Sequence, residues 1–142
     1  MPPSVQAIGI AVVVDLATRR CLVGRRRAGS HLAGMLEFPG GKSLPGESPA
    51  ATAVRECLEE TGLTVHAVEE WDLVEHEYPH AMVRLHFWRC EATRLKQPPH
   101  EPFTWTPLTG LDPQEFPAPN AAVIERLQVW AAGDQTASTH ES

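Results

Sequence analysis

With 142 residues, a formal net charge of -6 and 42% hydrophobic residues, the chain can form one domain that buries about two-thirds of its unfolded surface, and it is too short for two. The acidic balance excludes a sequence-independent nucleic-acid binder, which needs a basic footprint to displace counterions from phosphates. The cysteines Cys21, Cys57 and Cys90 are odd in number, widely spaced and set in apolar runs, so neither a disulfide framework nor a zinc site is expected and a reducing cytoplasm is the default compartment.

Residues 5–14 are apolar, lack a basic leading segment and a small-residue cleavage site, and are too few to cross a bilayer; they read as a buried strand, with no membrane partner. A turn over residues 15–19 leads to a second strand near 21–25. Residues 49–61 carry helix signals at both ends: Ser48 as N-cap, Pro49 at the first helical position, and Gly62 to take the left-handed stop. Ala50, Val54, Cys57, Leu58 and Thr61 form the apolar stripe expected to face a sheet. Two β-rich stretches follow, 71–78 and 82–90, joined at Pro79 and His80. A proline-rich loop, 97–102, precedes a short strand near 103–106, and a last amphipathic helix spans about 121–131 with Val123, Ile124, Leu127 and Trp130 inward. The expected organisation is a single domain over residues 1–132 with a disordered polar tail at 133–142.

The helix at 49–61 holds the chemistry. At about 100° per residue, Glu56, Glu59 and Glu60 fall on one face, where like charges repel by a few tenths of a kcal/mol per pair. Such a face suits a hard divalent cation. Oxygen donors without histidine or cysteine fit Mg²⁺ or Mn²⁺ rather than zinc, and Mg²⁺ works with a few carboxylates plus substrate phosphates. A phosphorylated substrate is therefore expected, against the plainer alternative of a solvated acidic face.

Gly41, Glu47, Arg55, Glu56, Glu59, Glu60, Gly62 and Leu63 resemble the Nudix box, Gly-x5-Glu-x7-Arg-Glu-U-x-Glu-Glu-x-Gly-U, with U a bulky aliphatic. The departure is Cys57 at the first U position, small and apolar enough to pack in a core. Residues 31–42 and 116–127 resemble the flanking segments of MutT-type pyrophosphohydrolases, so that the resemblance covers most of residues 5–130. It implies an α/β/α sandwich, with a mixed, curved sheet between helices. The implied activity is Mg²⁺-dependent cleavage of a nucleoside triphosphate to monophosphate and pyrophosphate, and the implied substrate is 8-oxo-dGTP.

The resemblance makes Glu56, Glu59 and Glu60 the metal-binding and catalytic carboxylates, with Glu60 a ligand and Glu56 the candidate general base. It adds the backbone carbonyl of Gly40 and a loop acid, Glu101, to the metal set, although Glu101 stands closer to Trp105 than the MutT pattern has it. Arg26, His31, Glu37, Phe38, Pro39 and Gly40 match positions that meet the nucleotide, and Tyr78 is a candidate stacking or core residue. Glu47 and Arg55 are read as a structural pair that holds the loop at 42–48 and orients the acids. The partner is a free nucleotide and the state a monomer or weak dimer.

Asn120 is the telling residue outside the box. Guanine presents two acceptors, O6 and N7, on its major-groove edge; oxidation at C8 places a hydrogen on N7 and makes the edge acceptor-donor. A carboxamide offers both a donor and an acceptor, so Asn120 can pair with the oxidised base and not with guanine. Its alternative role is to cap the last helix. Two further readings stand beside the sanitising one: a Nudix hydrolase of CTP, other pyrimidine triphosphates or a nucleoside diphosphate conjugate, and a non-catalytic nucleotide-binding module.

Overall fold

The computed structural model describes residues 4–29, 32–79, 81–93 and 97–140, the side chains to 132. Chain order is β1 (Val5–Asp15), β2 (Arg20–Arg25), β3 (Leu36–Glu37), β4 (Gly40–Lys42), α1 (Pro49–Thr61), β5 (Val65–Tyr78), β6 (Ala81–Ala92), β7 (Thr104–Pro107) and α2 (Ala121–His140), with single 3-10 turns at Leu108–Gly110, Pro113–Glu115 and Ala118–Asn120. The apolar run at residues 7–14 of β1 fits burial on both faces, which is complete from Ala11 to Val14. Its Ala11 and Val13 enter the core beneath α1, and Val12 and Val14 enter the core beneath α2.

The sheet runs β3-β2-β1-β6-β5, with β4 added to β1 and β7 to β2. Pairing of β1 with β6 is parallel and the other pairings are antiparallel, so the sheet is mixed. One edge of β1 is shared: Ile8, Gly9 and Ile10 pair with β4, while Val14 and Asp15 pair with β2. Register shifts near Ala67/Glu69 and Glu70/Asp72 bend β5. With α1 on one face and α2 on the other, the molecule is the expected α/β/α sandwich.

Ser48 caps α1 by accepting from Ala51 N–H, and Gly62 ends it at φ 78°. The buried face is rotated from the expected stripe: Thr52, Ala53, Cys57 and Thr61 are buried, whereas Leu58 is 49% exposed. Thr52 explains part of the shift, since its hydroxyl is consumed by Glu47 Oε1 at 2.8 Å and can go inside. Strand β5 begins at Val65, ahead of the expected start at 71, because its bulges break the alternation that marks a strand, and β6 runs slightly past its expected ends. Helix α2 likewise continues beyond residue 131 to His140, where a disordered tail is expected; residues 133–140 contain no proline to interrupt helical hydrogen bonding. Its packing ends earlier, at Ala131 and at Trp130, which meets Trp71 edge-on at 5.1 Å while Arg126 covers the Trp71 ring at 4.6 Å.

Cys21, Cys57 and Cys90 are free and buried. Burial pushes the Cys21 and Cys90 thiols up to about 12 and Cys57 to about 11, so they behave as small core residues. Among the described residues no helix is long and apolar enough to cross a membrane.

Candidate active site

The box loop closes on α1 through one guanidinium. Arg55 donates from Nε to Glu47 Oε2 at 2.8 Å and from Nη2 to Glu47 Oε1 at 3.0 Å, a two-pronged bridge. Its Nη1 donates to Glu56 Oε1 at 2.8 Å and to both oxygens of Glu59 at 3.0 and 3.1 Å, and Nη2 reaches the Lys42 carbonyl at 3.1 Å. Glu47 also accepts from Leu44 N–H and from Thr52. The Arg55 hydrogen bonds, followed by that of Leu44, hold the Glu47 carboxyl down at about 2, and Arg55 in turn titrates above its ordinary value, chiefly through Glu47. The structural pairing read from the sequence is present, and Arg55 reaches two of the three helix carboxylates as well.

Glycines bring the opposite wall close. A Cβ on Gly41 would stand 2.5 Å from the Glu56 carboxyl, so Glu56 rests directly on that backbone. At Gly40 the obstacle is β1, with the Gly9 carbonyl 2.6 Å from such a Cβ. Strand and carboxylate packing therefore require both glycines. Gly40 N–H donates to Glu60 Oε1 at 2.8 Å, tying the start of β4 to the end of α1.

Glu60 is the perturbed acid. Burial pushes its carboxyl up to about 7, partly offset by the Gly40 N–H and reinforced by Glu56, Glu37 and Glu59. A group so placed lacks enough positive charge nearby. Glu59, Glu60, Gly40, Glu37 and Glu101 line one cleft of about 470 Å³ together with Arg25, Arg26 and Arg27, a volume suited to a nucleotide. The donor set, carboxylates plus one glycine backbone, fits a hard divalent cation. Among the described residues no three acidic, imidazole or thiol groups already form a metal cage, because Arg55 draws off Glu56 and Glu59 while Glu60 turns to Gly40.

The remaining expected residues distribute unevenly. Arg26 Nη1 meets Glu37 Oε1 at 2.8 Å inside the cleft. Phe38 is buried in the α2-side core, stacked on Phe116 at 5.2 Å, and the Pro39 carbonyl accepts from Ala11 N–H at 2.8 Å. That ring and that carbonyl are thus committed to the fold. Asn120 heads α2 and donates from Nδ2 to the Pro117 carbonyl at 3.0 Å; the Phe38–Phe116 stack carries its segment to the loop that precedes Gly40. Tyr78 is 46% exposed, not core. His31 lies outside the described residues.

The sequence points to Arg25 and Arg27 only as part of a run of three arginines, the densest positive charge in the chain, and does not single out Pro102 and Phe103 of the cleft wall. Arg25 also donates to the Gly34 carbonyl at 2.6 Å and pairs with Glu115 at 3.9 Å.

Arg55→Lys should lower kcat by about 10- to 100-fold, since an ammonium cannot reproduce a fork that serves three carboxylates at once. Steady-state kinetics beside a thermal melt checks this: near-normal turnover would reduce Arg55 to a loop anchor.

The model of the NUDIX domain matches residues 10–126. An 8-oxo-dGTP diphosphatase of Escherichia coli (strain K12) is 38% identical over 110 residues, 75% of this chain and 84% of that one. The CTP pyrophosphohydrolase of the same organism is 32% identical over 100 residues, 68% of this chain and 74% of the relative. Among solved structures, the MutT protein from Methanosarcina mazei Go1 superposes with a TM-score of 0.70 at 23% identity, covering 90% of this chain and 96% of that one. Box geometry, sandwich and relatives agree, and the chain belongs to the Nudix family of hydrolases that act on phosphoanhydride bonds.

Proposed function

We propose that the protein hydrolyses 8-oxo-dGTP to 8-oxo-dGMP and pyrophosphate with Mg²⁺, Mn²⁺ serving as a substitute, and so removes an oxidised nucleotide before it enters DNA. The observation that carries this reading is the 38% identity to an 8-oxo-dGTP diphosphatase across three-quarters of the chain, and Asn120 gives it a chemical basis. With one amide hydrogen on the Pro117 carbonyl, the carboxamide keeps a second hydrogen for O6 and its oxygen for the N7 hydrogen of the oxidised base.

Glu59, Glu60, Glu101 and the Gly40 carbonyl would hold the divalent cation, with Glu56 beside them. When bound, the cation neutralises phosphate charge and stabilises the attacking and leaving oxygens. The chain's own residues do the rest. Arg25, Arg26 and Arg27 supply positive charge to the triphosphate along one wall. Glu56, held on Gly41 and by Arg55, would accept the proton of the attacking water. Arg55 fixes Glu56 and Glu59 in orientation.

The similarity to a CTP pyrophosphohydrolase favours a second reading, in which the chemistry is the same and Asn120 serves the head of α2 alone. Measuring kcat/KM for 8-oxo-dGTP, dGTP and CTP side by side, with pyrophosphate detected separately from orthophosphate, decides between them. A large preference for 8-oxo-dGTP with pyrophosphate released is the expected result; equal or reversed rates would overturn the substrate assignment and leave the family chemistry standing.

A further inference from the structure

Glu101 sits on an exposed proline-rich loop, a poor foundation for a group that must meet a cation in fixed geometry. The loop is fastened on both sides of it. His100 N–H donates to the Thr61 carbonyl at 2.8 Å, and the tip of its imidazole presses on Gly62: a Cβ there would stand 2.6 Å from both Cε1 and Nε2. Gln97 Nε2 adds a longer contact of 3.5 Å to the Gly62 carbonyl. On the other side Phe103 is buried, its ring 2.8 Å from where a Cβ of Gly24 in β2 would lie. Phe103 N–H donates to the His100 carbonyl at 3.0 Å, closing a turn with Glu101 and Pro102 at its tip. The tip lines the same cleft as Glu59 and Glu60, which belong to the last turn of the helix that His100 grips.

We propose that His100 is the positioning residue for Glu101: by seating its ring on Gly62 it locks the Glu101 turn to the end of α1, so that the loop carboxylate and the helix carboxylates share one frame. This rests on the reading that Glu101 serves the cation. Gly62 then has two duties, the left-handed helix stop and the flat seat for an imidazole.

The test is a double-mutant cycle on the whole chain with His100→Ala, Glu101→Gln and both together, reading the dissociation constant for Mn²⁺ alone by titration and kcat/KM with Mg²⁺. His100→Gln replaces His100→Ala should the alanine variant fail to fold. Glu101→Gln is expected to weaken Mn²⁺ binding by about tenfold or more, and His100→Ala to weaken it in the same direction. In the Glu101→Gln background, removing the imidazole should cost nothing further. Normal Mn²⁺ affinity in Glu101→Gln would overturn the metal role of Glu101 and the proposal with it. Weakened affinity in Glu101→Gln with an unaffected His100 variant, or with fully additive losses, would overturn the role of His100 alone.

Discussion

Replacing Glu60 by Gln is expected to lower kcat by on the order of 10³-fold or more while the protein stays folded. The fold survives because the amide oxygen can still accept the Gly40 N–H. Catalysis does not, because the charge that should meet the cation is gone at nearly constant volume. A pH signature separates this from a structural defect. Burial first, and the neighbouring carboxylates Glu56, Glu37 and Glu59 after it, raise the folded-state Glu60 carboxyl from 4.5 to about 7. The unfolded chain loses this proton near 4.5 while the metal-free folded chain keeps it to about 7, so the folded state binds more protons in that window. Metal-free stability therefore falls as pH rises across it and stays lowered above it. Glutamine carries no such liability. In a chelator, Glu60→Gln should melt a few degrees above wild type at about pH 8 and alongside it near the ordinary carboxylate range. Adding Mg²⁺ should then raise the wild-type melting temperature and leave the variant almost unmoved. Near-normal turnover, or a variant that melts below wild type at high pH, would remove Glu60 from the metal site.

The second large effect falls on substrate choice. Asn120→Ala should reduce kcat/KM for 8-oxo-dGTP about 10- to 100-fold more than for dGTP, the range set by the roughly 1–3 kcal/mol cost of leaving buried polar groups unpaired. The substitution also deletes the bond to the Pro117 carbonyl. That loss loosens the start of α2 and affects both substrates alike, so the ratio of the two rates isolates base reading. An equal loss for both nucleotides would assign Asn120 to the helix start and move the CTP-type reading forward.

Features set by neighbours in the chain were legible in the sequence. The span of α1, its Ser48 cap, the proline at its first position and the Gly62 stop all appear as expected, because caps and φ preferences act over a few residues. The doubly buried β1 was legible for the same reason, since a continuous apolar run needs no knowledge of its partner. The spacing that sets Glu56, Glu59 and Glu60 on one helix, and the family that spacing identifies, were also legible.

What only the tertiary structure decided concerns approach between distant segments. The pairing of Arg55 with Glu47 was legible, but the sequence does not say that the same guanidinium also binds Glu56 and Glu59 directly, or that Glu56 rests on Gly41. Nor does it say that Arg25, Arg26 and Arg27 line one cleft with Glu101, or that His100 seats on Gly62. It also misplaced the inward face of α1, setting Leu58 inside where Thr52 and Ala53 go. Periodicity fixes which residues share a face of an element; the rotation of that face and the distances across the site follow from how the two cores fill on either side of one sheet.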